Sequence, residues 1–143
     1  MNKYRKMVNR PQKLLFICVE NSNRSQMAEA FAMIHGQNRI EAFSAGSRPS
    51  GIVNPQAIKS MDELGYDLKN HRSKGLREIP SINYDVLVTM GCGDNCPSIS
   101  AKLKLEWSIP DPKSASPKEF LMIRNLIENK VKVLLASIQG FCR

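Results

Sequence analysis

The chain has 143 residues, 42% of them hydrophobic, within the usual range for one globular domain with one core. Twenty-one Lys and Arg against 13 Asp and Glu give a formal charge of +8, which favours encounter with anions without naming one. No window approaches the ~18 consecutive apolar residues of a membrane span, and residues 1–13 lack the apolar run of a signal peptide, so the expected location is the cytoplasm with no membrane partner.

In that reducing compartment Cys18, Cys92, Cys96 and Cys142 are not expected to form a static disulfide framework, and their thiols become candidates for chemistry. Residues 1–12 read as a basic, solvated tail rather than a nucleic-acid arm, and residues 13–143 as the catalytic domain.

Along the chain, Lys13 to Cys18 is a short apolar run, the pattern of a strand. From Ser22 onward Met27, Ala28, Phe31, Ala32 and Ile34 recur at helical spacing. Arg39 to Ser44 alternates as a strand and runs into Ala-Gly-Ser-Arg-Pro-Ser-Gly51, a stretch of turn formers. Asn54 as a cap and Pro55 at the first helical position open a helix whose stripe of Ala57, Ile58, Met61 and Leu64 stops at Gly65. Tyr84 to Met90 predicts a strand buried on both faces, and Leu103 to Trp107 a shorter one before Pro110-Asp111-Pro112. A closing amphipathic helix runs from Pro117 to Gly140. Alternating strands and helices predict an α/β fold, a single domain with a four-stranded parallel sheet flanked by helices on both faces. Ligands of such sheets bind outside the carboxyl ends of the strands, where Cys18, Ser44, Met90 and Trp107 all lie.

Cys18-Val19-Glu20-Asn21-Ser22-Asn23-Arg24-Ser25 joins a buried strand to a helix N-terminus, with one Cys and one Arg six positions apart. Successive backbone N–H groups in such a loop can form a nest for a tetrahedral anion, the helix adds its positive end, and Arg24 can bond two oxygens at once. The same field favours a nucleophilic thiolate at Cys18, with Ser25 placed to hydrogen-bond it.

These residues, with Ser44-Ala-Gly46, Asn54-Pro55, Asp85-Val-Leu-Val-Thr89 and Asp111-Pro112, resemble the low-molecular-weight tyrosine phosphatase superfamily, and within it the arsenate reductases, from Lys13 to Ile138. The resemblance implies Cys18 as nucleophile, Val19 to Ser25 as oxyanion-binding loop, with Ser25 also stabilising the thiolate, Asn21 as holder of the loop's shape and Asp111 as general acid. Lys113 follows Asp111-Pro112 where the phosphatases carry a ring-stacking aromatic residue. Gly91-Cys92-Gly93-Asp94-Asn95-Cys96-Pro97 resembles the redox segment of the reductases.

The function so implied is reduction of arsenate to arsenite through a Cys18 adduct and a disulfide relay over Cys92 and Cys96. Phosphate and sulfate are the competing anions. No bound cofactor is expected, and the reductant is external: thioredoxin, or a low-molecular-weight thiol with a glutaredoxin-like protein. The alternatives are a phosphatase hydrolysing phosphomonoesters through phosphocysteine, for which Cys92 and Cys96 are dispensable, and a non-catalytic module that binds phospho-groups or nucleic acid through the +8 charge. Three departures stand out. Cys92 and Cys96 are closer together than in thioredoxin-coupled members. Glu20 replaces a frequent Gly, so its carboxylate must turn away from a bound anion. Lys74 stands where potassium-binding members carry Asp, although Asn21, Glu29 and Ser44 match the other ligand positions, so no metal is expected. A zinc site from Cys92, Cys96 and Cys142 has too few ligands, and Cys142 reads as a spectator.

Overall fold

A computed structural model describes residues 10–91 and 98–139, with only the backbone of residue 139. The expected basic tail lies outside these residues as far as residue 9, and Gln12 already belongs to the first strand. Four strands, β1 (Gln12–Cys18), β2 (Ile40–Gly46), β3 (Tyr84–Thr89) and β4 (Ala101–Glu106), form one sheet in the order β2-β1-β3-β4. All neighbours are parallel, so every strand ends on the same edge. Cys18 pairs with Gly46 and Ile17 with Thr89 in the sheet register. The end of β1 therefore lies between the ends of its two neighbours.

β1 is an inner strand, and its apolar run is explained by burial on both faces: Leu14 to Ile17 are fully buried, as the absence of polar alternation requires. β4 is an edge strand with Lys102, Leu103 and Lys104 exposed, charges that discourage pairing with another chain.

Helix α1 (Arg24–Gly36) is built largely of Ala, Met, Gln and Glu, strong helix formers. α2 (Pro55–Asp62) starts as its sequence predicts, with Asn54 Oδ1 accepting from the Gln56 N–H at 2.9 Å and Pro55 at the first position. It ends before Gly65, whose φ of +81° only glycine adopts without strain. α3 (Pro117–Gln139) opens with a reciprocal capping box: Ser116 Oγ accepts from the Glu119 N–H and Glu119 Oε1 from the Ser116 N–H, each at 3.2 Å.

The two faces of the sheet are covered differently. Leu14, Phe16, Val86 and Val88 pack in one cluster with Met27 and Phe31 of α1, Met61 of α2 and Phe120, Ile127 and Val131 of α3. Arg124 of α3 also donates to the Ser60 carbonyl at 2.9 Å, tying α3 to α2. Leu15, Ile17 and Leu87 on the other face pack against Phe43, Leu76, Ile79, Ile82 and Ile99. Among the described residues the helical cover of that face is the short 3-10 turn Leu76–Glu78, which no periodicity in the sequence announces.

Phe31 is fully buried within the main cluster. Phe31→Ala is expected to destabilise the domain by about 3–5 kcal/mol through lost burial and a residual cavity. The urea unfolding midpoint at constant m-value reads this out, and a change under about 1 kcal/mol would contradict the packing described.

Candidate active site

The loop between β1 and α1 carries the expected nucleophile, and its carbonyl groups explain its shape. The Cys18, Val19 and Glu20 carbonyls accept from the N–H groups of Ser47, Arg48 and Ser50, and the Ser22 carbonyl from that of Asn54, at 2.8–3.1 Å. Ser73 Oγ adds a second bond to the Glu20 carbonyl at 2.8 Å. Gln26 Nε2 donates to the Asn21 carbonyl at 3.1 Å, and the Met27 N–H to the Asn23 carbonyl at 2.9 Å within α1. Six consecutive carbonyls are thus held on the outside. In a trans peptide the following N–H points the opposite way, so the amides from Val19 to Arg24 turn from this outer wall toward the cleft. Such a run of N–H groups at a helix N-terminus is a nest for an anion.

Asn21 is the pivot of this arrangement. It has φ +52°, a conformation that Asn tolerates better than most residues, and its fully buried side chain is bonded on every side. Oδ1 accepts from Gln26 Nε2 at 2.8 Å and from the Lys74 N–H at 2.9 Å; Nδ2 donates to Ser25 Oγ at 2.7 Å and Ser44 Oγ at 3.0 Å. Because both hydroxyls accept from Asn21, their own hydrogens are directed elsewhere. Ser25 Oγ lies 2.9 Å from Cys18 Sγ, and Ser44 Oγ donates to Glu29 Oε1 at 2.5 Å. The Ser25 hydroxyl thus keeps a hydrogen that it can turn toward the buried Cys18 sulfur, in a contact where either atom can donate.

Arg24 joins the loop to the far side of the cleft. Nη1 donates to the Ile109 carbonyl at 3.1 Å, and Nη2 lies 3.8 Å from Asp111 Oδ2. Asp111 caps the 3-10 turn Pro112–Ser114, its Oδ1 accepting from the Lys113 N–H at 3.0 Å. Gly91, with φ +77°, passes so close that a Cβ there would lie 2.7 Å from Arg24 Nη1, so glycine is the residue that fits without strain. Cys18, Val19, Glu20, Ser22, Asn23, Arg24 and Asp111 consequently line one small cleft together with Lys113. Cys92, Cys96 and Cys142 lie outside the described residues.

Behind the loop stand Gln26, His71 and Tyr66, to which sequence reasoning gave no part in the site, beside Lys74 and Glu29. Gln26 Oε1 can only accept, so the His71 nitrogen 2.9 Å from it, Nδ1, carries the hydrogen; Nε2 then accepts from the Tyr66 hydroxyl at 2.6 Å. Burial, with the nearby Glu29 charge, raises the Tyr66 pKa and keeps this phenol a donor. Lys74 Nζ lies 3.9 Å from Glu29 Oε1 and donates to the Arg72 carbonyl at 3.3 Å. The positive charge that faces Glu29 therefore includes the chain's own ammonium. Nothing local in the sequence reveals the contact of His71 with a residue 45 positions earlier.

Two expectations follow. A Cβ on Gly46 would lie 2.5 Å from the Val19 carbonyl and 2.9 Å from the Asn21 nitrogen, so Gly46→Ala must displace the loop. Anion binding, read by protection of Cys18 from alkylation, should weaken about 100-fold, the scale of a ~1 Å misplacement. For His71, whose side chain is 10% exposed, burial lowers the pKa from 6.5, with Lys74 acting in the same direction and Glu29 and Asp67 opposing. The unfolded chain then takes up the proton first as pH falls below 6.5, so this group's stabilisation is present above that value and declines toward its folded pKa. Urea midpoints of His71→Gln should fall less than those of the unmodified protein between about pH 7.5 and 5.5; parallel declines would exclude this role.

The family model described as low molecular weight phosphotyrosine protein phosphatase matches residues 13–140. A curated relative, the glutaredoxin arsenate reductase of Synechocystis sp., is 35% identical over 130 residues, covering 89% of this chain and 98% of the relative. A solved arsenate reductase in the phosphate binding state superposes with a TM-score of 0.81 at 35% identity over 89% of this chain and 98% of that one. A thioredoxin-dependent arsenate reductase of Corynebacterium glutamicum gives a TM-score of 0.75 at 30% identity, over 94% of this chain and 65% of the other. With residues 13–140 matched by that family model, the chain belongs to the low molecular weight phosphotyrosine protein phosphatase family.

Proposed function

We propose that the protein is an arsenate reductase. The observation that carries this reading is a small cleft on which Cys18, the loop between β1 and α1, Arg24 and Asp111 converge. Its relatives named as arsenate reductases at 35% identity and above support the choice of arsenate.

Arsenate binds with its oxygens on the loop amides and the Arg24 guanidinium. The Cys18 thiolate attacks arsenic, an As–O bond breaks, and Asp111 supplies the proton to the departing oxygen. A second thiolate, from Cys92, then attacks Cys18 Sγ. The S–As bond breaks with its electron pair left on arsenic, so As(V) becomes As(III) while two thiols become one disulfide. Cys96 attacks Cys92, releasing Cys18, and the Cys92–Cys96 disulfide is reduced by an external thiol, thioredoxin or a low-molecular-weight thiol with a glutaredoxin-like protein. The roles of Cys92 and Cys96 rest on the sequence resemblance.

Fully reduced protein, freed of small thiols and given arsenate, is expected to release about one arsenite per chain without any donor. Cys18→Ser and Cys92→Ala should each abolish this burst. No burst from the unmodified protein, with hydrolysis of para-nitrophenyl phosphate insensitive to Cys92→Ala, would establish the phosphatase reading instead.

A further inference from the structure

Glu20 is the one acidic residue between Cys18 and Ser25, in a loop whose other features all attract anions. A free carboxylate there would oppose anion entry at short range. Glu20 is not free: its Oε2 accepts from Lys113 Nζ at 2.9 Å. The two residues come from opposite walls, Glu20 from the anion loop and Lys113 from the turn that presents Asp111, and both line the cleft. Their side chains are 36% and 65% exposed, so the pair lies at the mouth, is screened by salt and can open.

Position matters as much as charge. The Lys113 N–H is bonded to Asp111 Oδ1 at 3.0 Å, which fixes the root of Lys113 beside the group that protonates a leaving oxygen. An ester's organic substituent is attached to that oxygen and must leave the cleft past the Asp111 turn. From that same turn Lys113 reaches over to Glu20 of the anion loop. An inorganic oxyanion has no substituent to place there.

We propose that the Lys113–Glu20 ion pair is a selectivity clasp across the mouth of the cleft, which cancels the loop's one carboxylate and favours a compact inorganic oxyanion over an aryl phosphomonoester. This rests on the oxyanion reading of the cleft. Lys113 is a positioning and charge-cancelling residue, not a catalytic one. The carboxylate of Glu20, chiefly through the hydrogen bond, with Asp111 adding to it, raises the Lys113 pKa above 10.5, so Lys113 is an ammonium at neutral pH.

The test compares the unmodified protein with Lys113→Ala, Lys113→Arg and the double variant Glu20→Gln/Lys113→Ala. Arsenate and phosphate are titrated as protectants of Cys18 against alkylation, and para-nitrophenyl phosphate is supplied as the aryl ester. At low ionic strength Lys113→Ala should weaken protection by arsenate about five-fold, because the Glu20 charge is unmasked, and the loss should shrink at about 0.5 M salt. The double variant should return to within about two-fold of the unmodified protein, and Lys113→Arg should match it. In the double variant kcat/KM for the aryl ester, relative to arsenate affinity, should rise about ten-fold, since both charge and obstruction are gone. Failure of Glu20→Gln to rescue would make Lys113 a direct anion ligand and overturn the clasp, as would an unchanged preference between aryl ester and arsenate. No protection of the unmodified protein by either anion would overturn the oxyanion reading itself, an outcome distinct from both.

Discussion

The site depends on the orientation of six peptide units. From Cys18 to Asn23 every carbonyl is engaged on the outer side of the loop, by neighbours between Ser47 and Asn54, by Ser73, by Gln26 and by the first turn of α1. A buried backbone group left unpaired is costly, so these bonds leave the loop little freedom to turn a carbonyl inward. The inward N–H groups are thus preorganised, and no peptide has to rotate when charge arrives, which is the condition for electrostatic stabilisation of an oxyanion. Asn21 concentrates this constraint, since one side chain sets the strained φ, receives Gln26 and Lys74, and orders the hydroxyls of Ser25 and Ser44.

Charge around the cleft follows a common pattern. Asp111 faces Arg24 at 3.8 Å, Glu29 faces Lys74 at 3.9 Å, and Glu20 is bonded to Lys113 at 2.9 Å. Each carboxylate near the loop thus has a cation within reach, so the loop amides and the N-terminal end of α1 are left to attract an anion without a bare negative charge beside them. Arg24 also acts as a brace. Through the Ile109 carbonyl and the close approach of Gly91 it holds the segments that follow β3 and β4 against the β1 loop. The parallel sheet makes this possible, because it brings four strand ends from distant parts of the chain to one edge.

Much of this was legible in the residues themselves. The continuous apolar run before Cys18 identified a buried strand, the Asn54-Pro55 pair opened α2 where the structure has it, and the loop from Cys18 to Ser25 carried enough local chemistry to mark a candidate anion site. These signals are local: hydrophobic period, cap chemistry and the spacing of Cys and Arg act over one turn or one strand. The order β2-β1-β3-β4, the bare 3-10 turn covering one sheet face, and the contacts of Gly46 and Gly91 were not legible, because each pairs residues with no fixed separation in sequence.

The pairing of charges makes the same division. That Glu20 must turn from a bound anion followed from electrostatics alone; that Lys113, 93 positions away, would receive it did not. His71 and Gln26 carried no marker of their link, and only folding revealed that they form the rear wall of the loop. The sequence by itself determined the elements and the reactive loop, since these arise from the intrinsic preferences of neighbouring residues. Tertiary structure alone decided which distant side chains complete the site, since burial and hydrogen-bond pairing are satisfied only when segments far apart in the chain meet.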